Sequence, residues 1–234
     1  MDPNELTYKK ARSIKFFFHR QVWHLLSLLI LVPIVLLLAN SSLGSGSWQG
    51  ISTQRWFFFT LIVPIIHQII VWVVFRLQLG WATLSKAFGK ADLVVWGFLF
   101  LPLFIGRVIT LVALSRATQG SLPISSSLSL IIALILLLPA LYTFWSVARY
   151  FGLVRAMVGD HFRLKYRTLP LETRGIFQFS SNAMYAYGFL LLWAIALLNR
   201  SFPALIIAAF QHIYIWVHYY TVEKRDLDII FPEH

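Results

Sequence analysis

Six stretches of nearly continuous apolar residues, separated by short polar segments, organise the chain. They run from about Val22 to Ala39, Trp56 to Phe75, Leu93 to Leu114, Leu128 to Val147, Ala183 to Leu198 and Ala204 to Tyr220. Within each run the apolar positions are continuous and not alternating, which predicts helices and not the strands of a barrel. A helix rises about 1.5 Å per residue, so ~20 residues cross a hydrocarbon core of about 30 Å. Each run can span, the fifth being short. The expected fold is all-α, a polytopic transmembrane helical bundle of about six spans. Residues 1–234 read as a single membrane domain. Residues 1–148 hold spans 1 to 4, and 149–234 hold a polar loop, spans 5 and 6, and the tail.

The polar segments punctuate this pattern. Asn40 to Gln54 is rich in serine and glycine, and Gln119 to Ser127 is also nearly uncharged. Ser125 to Ser127 offers an N-cap for span 4. Spans 5 and 6 form a tight hairpin through Asn199 to Pro203, with Ser201 as the cap and Pro203 in the first helical turn.

Composition sharpens the picture. The chain is 59% hydrophobic and 12% charged, about half the charge of an average soluble domain. That excludes an ordinary soluble domain, a disordered chain and a disulfide scaffold. With no cysteine, thiol catalysis and thiolate metal ligands are excluded too. The histidines show no metal-ligand spacing, since His212 and His218 lie six apart on one span, so no metal is expected.

The net charge of +11 would suggest nucleic acid in a soluble protein. Here the positives sort by loop, and no nucleic-acid partner is expected. Lys9, Lys10, Arg12, Lys15 and Arg20 precede span 1. Arg76, Lys86 and Lys90 separate spans 2 and 3. Arg149, Arg155, Arg163, Lys165, Arg167 and Arg174 separate spans 4 and 5, and Lys224 and Arg225 follow span 6. The other side carries Arg55, Arg116 and Arg200. The positive-inside rule then predicts a multi-pass protein with both termini, and the largest polar loop, in the cytoplasm.

Candidate chemistry gathers at that face. His212, Trp216, Tyr219 and Glu223 are spaced i, i+4, i+7 and i+11, which places them on one side of a regular helix. Such a stripe is either a wall for a polar or cationic ligand or an interfacial aromatic belt. Ser181 or Asn182 can cap span 5, where uncapped N–H groups suit an anion; a plain cap is the other reading. Inside the spans, His67 and Gln68 are expected to form interhelical hydrogen bonds. Arg107 is expected to snorkel outward or to pair with a headgroup.

Gly175, Phe177, Asn182, Met184 and Tyr185 stand in one register, Tyr150-Phe151-Gly152 precedes them, and Glu223 lies beyond the last span. This pattern resembles the integral-membrane methyltransferases that include phosphatidylethanolamine N-methyltransferase and isoprenylcysteine carboxyl methyltransferase. Asn182 is similar to the asparagine of the phospholipid branch. Ser181 and Ala183 stand in place of the family triplet's outer residues, and Val222 in place of the first glutamate of its pair. The resemblance implies S-adenosylmethionine as cofactor, held by Gly175, Phe177, Asn182, Tyr185 and Glu223, with His212, Trp216 and Tyr219 of the stripe as its wall. It implies a base for the acceptor, with Glu223 and His161 in catalysis and His218 as a further candidate, and Arg155, Arg163 and Arg167 on the phosphate of a membrane lipid substrate. The alternatives are an isoprenylcysteine-type acceptor and a non-enzymatic membrane protein or transporter sharing the fold.

Overall fold

The serine caps set the helix starts. In a computed structural model describing residues 2–232, Ser125 accepts from the Leu128 N–H and Ser201 from the Ala204 N–H. The membrane helices are α1 (Gln21–Asn40), α2 (Thr53–Trp81), α3 (Asp92–Ala117), α4 (Ser126–Ser146), α5 (Leu190–Leu198) and α6 (Phe202–His218), followed by α7 (Lys224–Ile230). A two-residue ribbon, Ser47–Trp48 with Ile51–Ser52, closes the loop after α1.

Five helical stretches are long and apolar enough to cross a membrane, and the fifth run of the sequence, Met184–Leu198, is a shorter apolar helix. Its length of about 22 Å falls short of the ~30 Å hydrocarbon core. The outer surface is apolar, with Leu37, Phe98, Ile105, Ile135 and Leu138 exposed. In water so large an apolar surface would drive aggregation; facing lipid it costs nothing. The chain is a multi-pass membrane protein.

Helix α6 is the axis of the bundle, packed on α1, α2, α3 and α5. Ala204 and Ala208 let its neighbours approach closely, and Ile207, Phe210 and Tyr214 fill the core with Phe57, Leu111 and Leu192. His24 on α1 pairs with the Tyr214 hydroxyl at 2.7 Å. The N-terminal turns fold under the bundle: Phe16 is buried beneath the Arg76 guanidinium, 4.3 Å from ring centre to Cζ.

Two features position the site. First, α3 and α4 scarcely touch, and both pack on α5, leaving a gap between them. Second, three π-helical turns interrupt the regular helices at the same end of the bundle: Val147–Phe151, Met184–Gly188 and Tyr219–Glu223. A π turn inserts one residue and rotates whatever follows, a device frequent at functional sites.

Candidate functional site

The polar loop 152–182 is fastened to the bundle by its charges. Arg163 makes a bidentate pair with Asp92, at 2.6 and 2.8 Å, and Ser85 donates to the same carboxylate at 2.6 Å. Arg167 donates to the carbonyls of Asp160 and Leu6. His161 lies between Asp160 (2.8 Å) and Asp226 (3.5 Å), and Asp226 also pairs with buried Arg76 at 3.1 Å. Burial alone would lower the imidazole's pKa. Its hydrogen bonds to Asp160 and Asp226, and their charges, raise it to about 9. His161 is therefore a cation at neutral pH.

Under this loop lies a cavity of about 320 Å³, within the ~300–1,000 Å³ typical of small-molecule sites. Leu153, Ala156, Met157 and Val158 cover it. Phe100, Phe104, Val147, Phe189 and Leu192 make it mostly apolar. Leu101, Phe104 and Phe144 both line it and are exposed on the outer surface, at the gap between α3 and α4. The cavity is thus reached from the side, through the lipid-facing wall.

Its polar groups fall into two clusters. At the loop end, Tyr185 donates a hydrogen bond to the Glu223 carboxylate. Glu223 lies 3.5 Å from His218, whose two ring nitrogens have no hydrogen-bond partner among the described residues. Deeper in the bundle, Arg107 donates to Gln211 Oε1 at 3.0 Å and to His67 Nδ1 at 3.4 Å, with Gln68 beside them in the lining.

The π turn explains which residues meet. On a regular helix Glu223 would share a face with His212, Trp216 and Tyr219. The extra residue in Tyr219–Glu223 instead brings Glu223 into phase with Gln211, Ile215 and His218, all of which line the cavity. The expected single stripe is therefore broken. His212 accepts from the Trp193 indole at 3.1 Å and stacks on Phe189, while Trp216 and Tyr219 pack on Tyr185 from outside the cavity.

The other expected residues divide similarly. Tyr185 and Met184 line the cavity. Gly175, at φ +61, presses against Ser146, whose hydroxyl accepts from the Ile176 N–H, and Phe177 stacks on Phe151. Both support the wall without reaching the cavity. Neither Ser181 nor Asn182 caps span 5 through its side chain; the Asn182 backbone carbonyl accepts from the N–H groups of Tyr185 and Ala186. His161 does not line the cavity and is held by its two aspartates. Arg163 is paired with Asp92, and Arg167 donates to loop carbonyls. Arg155 lies on the outer side of the loop, donating to the Pro170 carbonyl. Arg107 does not snorkel; it faces the bundle.

Sequence reasoning missed Gln211 as a site residue. Its spacing with Ile215 and His218, at i, i+4 and i+7, marked a second face of α6, and the more polar-aromatic face drew attention from it.

Val222 stands in an apolar part of the core. It is fully buried against Val71, Phe75, Trp96 and Phe162.

A family model described as phospholipid methyltransferase matches residues 128–234, from the first turn of α4 to the end of the chain. No curated protein and no solved structure matches the chain. The matched segment supplies α4, the loop, α5, α6 and α7, and with them the Tyr185–Glu223–His218 cluster. Over residues 128–234, a little under half of its length, the chain is similar to the phospholipid methyltransferase family.

Proposed function

We propose that the protein transfers a methyl group from S-adenosylmethionine to the amine headgroup of a phospholipid, with residues 1–234 acting as one membrane domain. The carrying observation is the buried Tyr185–Glu223–His218 cluster at the end of a cavity that opens toward lipid. The positive-inside pattern supports a cytoplasmic position for this end.

The residues present suit the donor. One Glu223 oxygen is taken by Tyr185, leaving the other to accept from ligand hydroxyl or ammonium groups. The orphaned His218 nitrogens suggest a polar occupant, since buried polar groups are normally partnered. Glu223 would hold the donor, with Tyr185 fixing the carboxylate's rotamer, and Met184 and Phe189 would provide apolar walls. When bound, S-adenosylmethionine would supply an electrophilic methyl group on a sulfonium, its carbon–sulfur bond breaking as the new bond forms and the neutral thioether S-adenosylhomocysteine leaving.

This chain's part is alignment and proton handling. The acceptor enters between α3 and α4, past Phe104 and Phe144. Its ammonium must lose a proton before the nitrogen lone pair can form the new bond to carbon. His218 takes that proton, and Glu223 stabilises the resulting imidazolium. The apolar cavity excludes water and holds the reacting groups in line, a contribution worth several kcal/mol in effective-molarity terms.

Thermal unfolding of the purified protein with and without S-adenosylhomocysteine tests the reading. Ligand at ~100 times its dissociation constant adds about 2.7 kcal/mol. A saturable upward shift is expected in the wild type, and a markedly weaker one in Glu223→Gln. No shift at millimolar ligand would overturn the assignment.

A further inference from the structure

The deeper polar cluster is not explained by a methyl-donor site. Arg107, His67, Gln68 and Gln211 are 4%, 3%, 1% and 0% exposed, and all four line the cavity. Arg107, His67 and Gln68 come from α3 and α2, outside the segment that matches the family. No carboxylate pairs with Arg107 among the described residues, so a permanent positive charge stands inside the bundle without a counter-ion. Such a charge is costly in a membrane and marks a functional site by default.

The hydrogen-bond directions define what the cluster lacks. A guanidinium can only donate. His67 Nδ1 must therefore accept from Arg107, which leaves the proton of the neutral ring on Nε2. Gln211 accepts from Arg107 through Oε1, so its amide NH₂ remains to donate. Arg107 Nη2, His67 Nε2, Gln211 Nε2 and Gln68 Nε2 all have no partner among the described residues. Four unfilled donors, one of them charged, line the same end of the cavity; the unfilled acceptor there is Gln68 Oε1. A multi-oxygen anion completes that set. The surroundings, Phe100, Phe104 and Val108, are apolar, and the nearby opening faces lipid.

We propose that Arg107, His67, Gln68 and Gln211 form a binding site for the phosphate of a lipid headgroup. The site rests on the reading of the acceptor as a lipid and names the group by which that lipid is gripped. Along α6, Gln211 lies seven residues from His218, the proton acceptor of the proposed reaction, roughly 10 Å between backbones at about 1.5 Å per residue, and the side chains of the two clusters shorten that span. The cavity has a basic end and an acidic end. The basic end sorts amphiphiles by their anion, the acidic end by their cation.

Isothermal titration in a nonionic detergent tests this with three probes: 1-oleoyl lysophosphatidic acid, matched mono-olein without the phosphate, and inorganic phosphate. Charge-assisted hydrogen bonds predict a preference of about tenfold or more for the phosphate-bearing lipid. Arg107→Gln should reduce the preference to under about twofold, and Arg107→Lys should keep part of it, because a lysine keeps the charge and loses the fork. Retained S-adenosylhomocysteine binding in Arg107→Gln shows that the variant is folded; if it does not fold, Gln211→Leu, which removes one donor, should lower the preference instead. Equal binding of the two lipids by the wild type, or an undiminished preference in Arg107→Gln, would overturn the site. Inorganic phosphate binding as tightly as the lipid would overturn the lipid source. Loss of S-adenosylhomocysteine affinity in Arg107→Gln, with lipid binding unchanged, would assign the anion to the donor's carboxylate and overturn it as well. A wild type that prefers the phosphate lipid yet binds no S-adenosylhomocysteine would uphold this site while sinking the methyl-transfer reading.

Discussion

The Tyr185 phenol donates to the Glu223 carboxylate across 38 positions of sequence, joining the start of the short fifth helical segment to the end of α6. Both residues sit in π turns, Met184–Gly188 and Tyr219–Glu223, so each helix is locally rewound to bring them together. A hydrogen bond to a charged group contributes about 1.5–3 kcal/mol, and more is lost when its partner is left buried alone. Tyr185→Phe leaves the buried Glu223 carboxylate without this donor, so it should weaken S-adenosylhomocysteine binding by about tenfold, by titration calorimetry, and also lower the unfolding midpoint, even though the ring that packs on Trp216 is kept.

His161 links the polar loop to α7 through Asp160 and Asp226. Its pKa in the folded protein is raised to about 9, above the ordinary histidine value of about 6.5. Its stabilising contribution is therefore complete below pH ~6.5 and is lost as pH rises through about 9, and the full shift corresponds to roughly 3 kcal/mol. Unfolding midpoints measured from pH 6 to 10 should fall through this window in the wild type. In His161→Gln the midpoint should start lower and the fall should be smaller.

Arg163 tests the difference between a tether and a ligand. Its bidentate pair with nearly buried Asp92 fixes the loop. Arg163→Ala leaves that carboxylate without its ion-pair partner, and breaking pairs in buried surroundings costs up to about 3–5 kcal/mol, less here because the arginine is partly exposed. The unfolding midpoint should drop, while affinity for 1-oleoyl lysophosphatidic acid in the fraction that remains folded should stay within about twofold.

Gly175 is required by its backbone. At φ +61, a Cβ would lie 2.6 Å from the Ser146 hydroxyl oxygen, the group that accepts from Ile176. Gly175→Ala should destabilise by about 1–2 kcal/mol through strain and the broken hydrogen bond. Ser146→Ala in the same background relieves the clash and should recover part of that loss, a non-additivity readable in a double-mutant cycle of unfolding midpoints.

The bundle was legible because a membrane leaves so few options: each apolar run must satisfy its own backbone, and Ser125 and Ser201 announce the starts of α4 and α6. The C-terminal motif was legible as residue types, Tyr185 and Glu223 above all. The wall they belong to was not. Helical phase read from spacing assumes 3.6 residues per turn, and the π turn after His218 breaks that assumption with no sequence marker of its own. Charge was equally ambiguous. Arg163, Arg167 and Arg107 look alike in sequence, yet two fasten a loop and one stands unpaired in the cavity. Only the position of Asp92, the Asp160 and Leu6 carbonyls, and Gln211 separates those roles.

The most direct measurement is transfer of labelled methyl from S-adenosylmethionine into phosphatidylethanolamine by the purified protein in lipid nanodiscs, comparing wild type with Glu223→Gln and His218→Gln. The account predicts label in the lipid headgroup for the wild type, and losses of about 10²-fold or more in both variants, the usual scale for a lost acid–base group. Unlabelled lipid with a wild type that binds S-adenosylhomocysteine, or full activity in both variants, would contradict it.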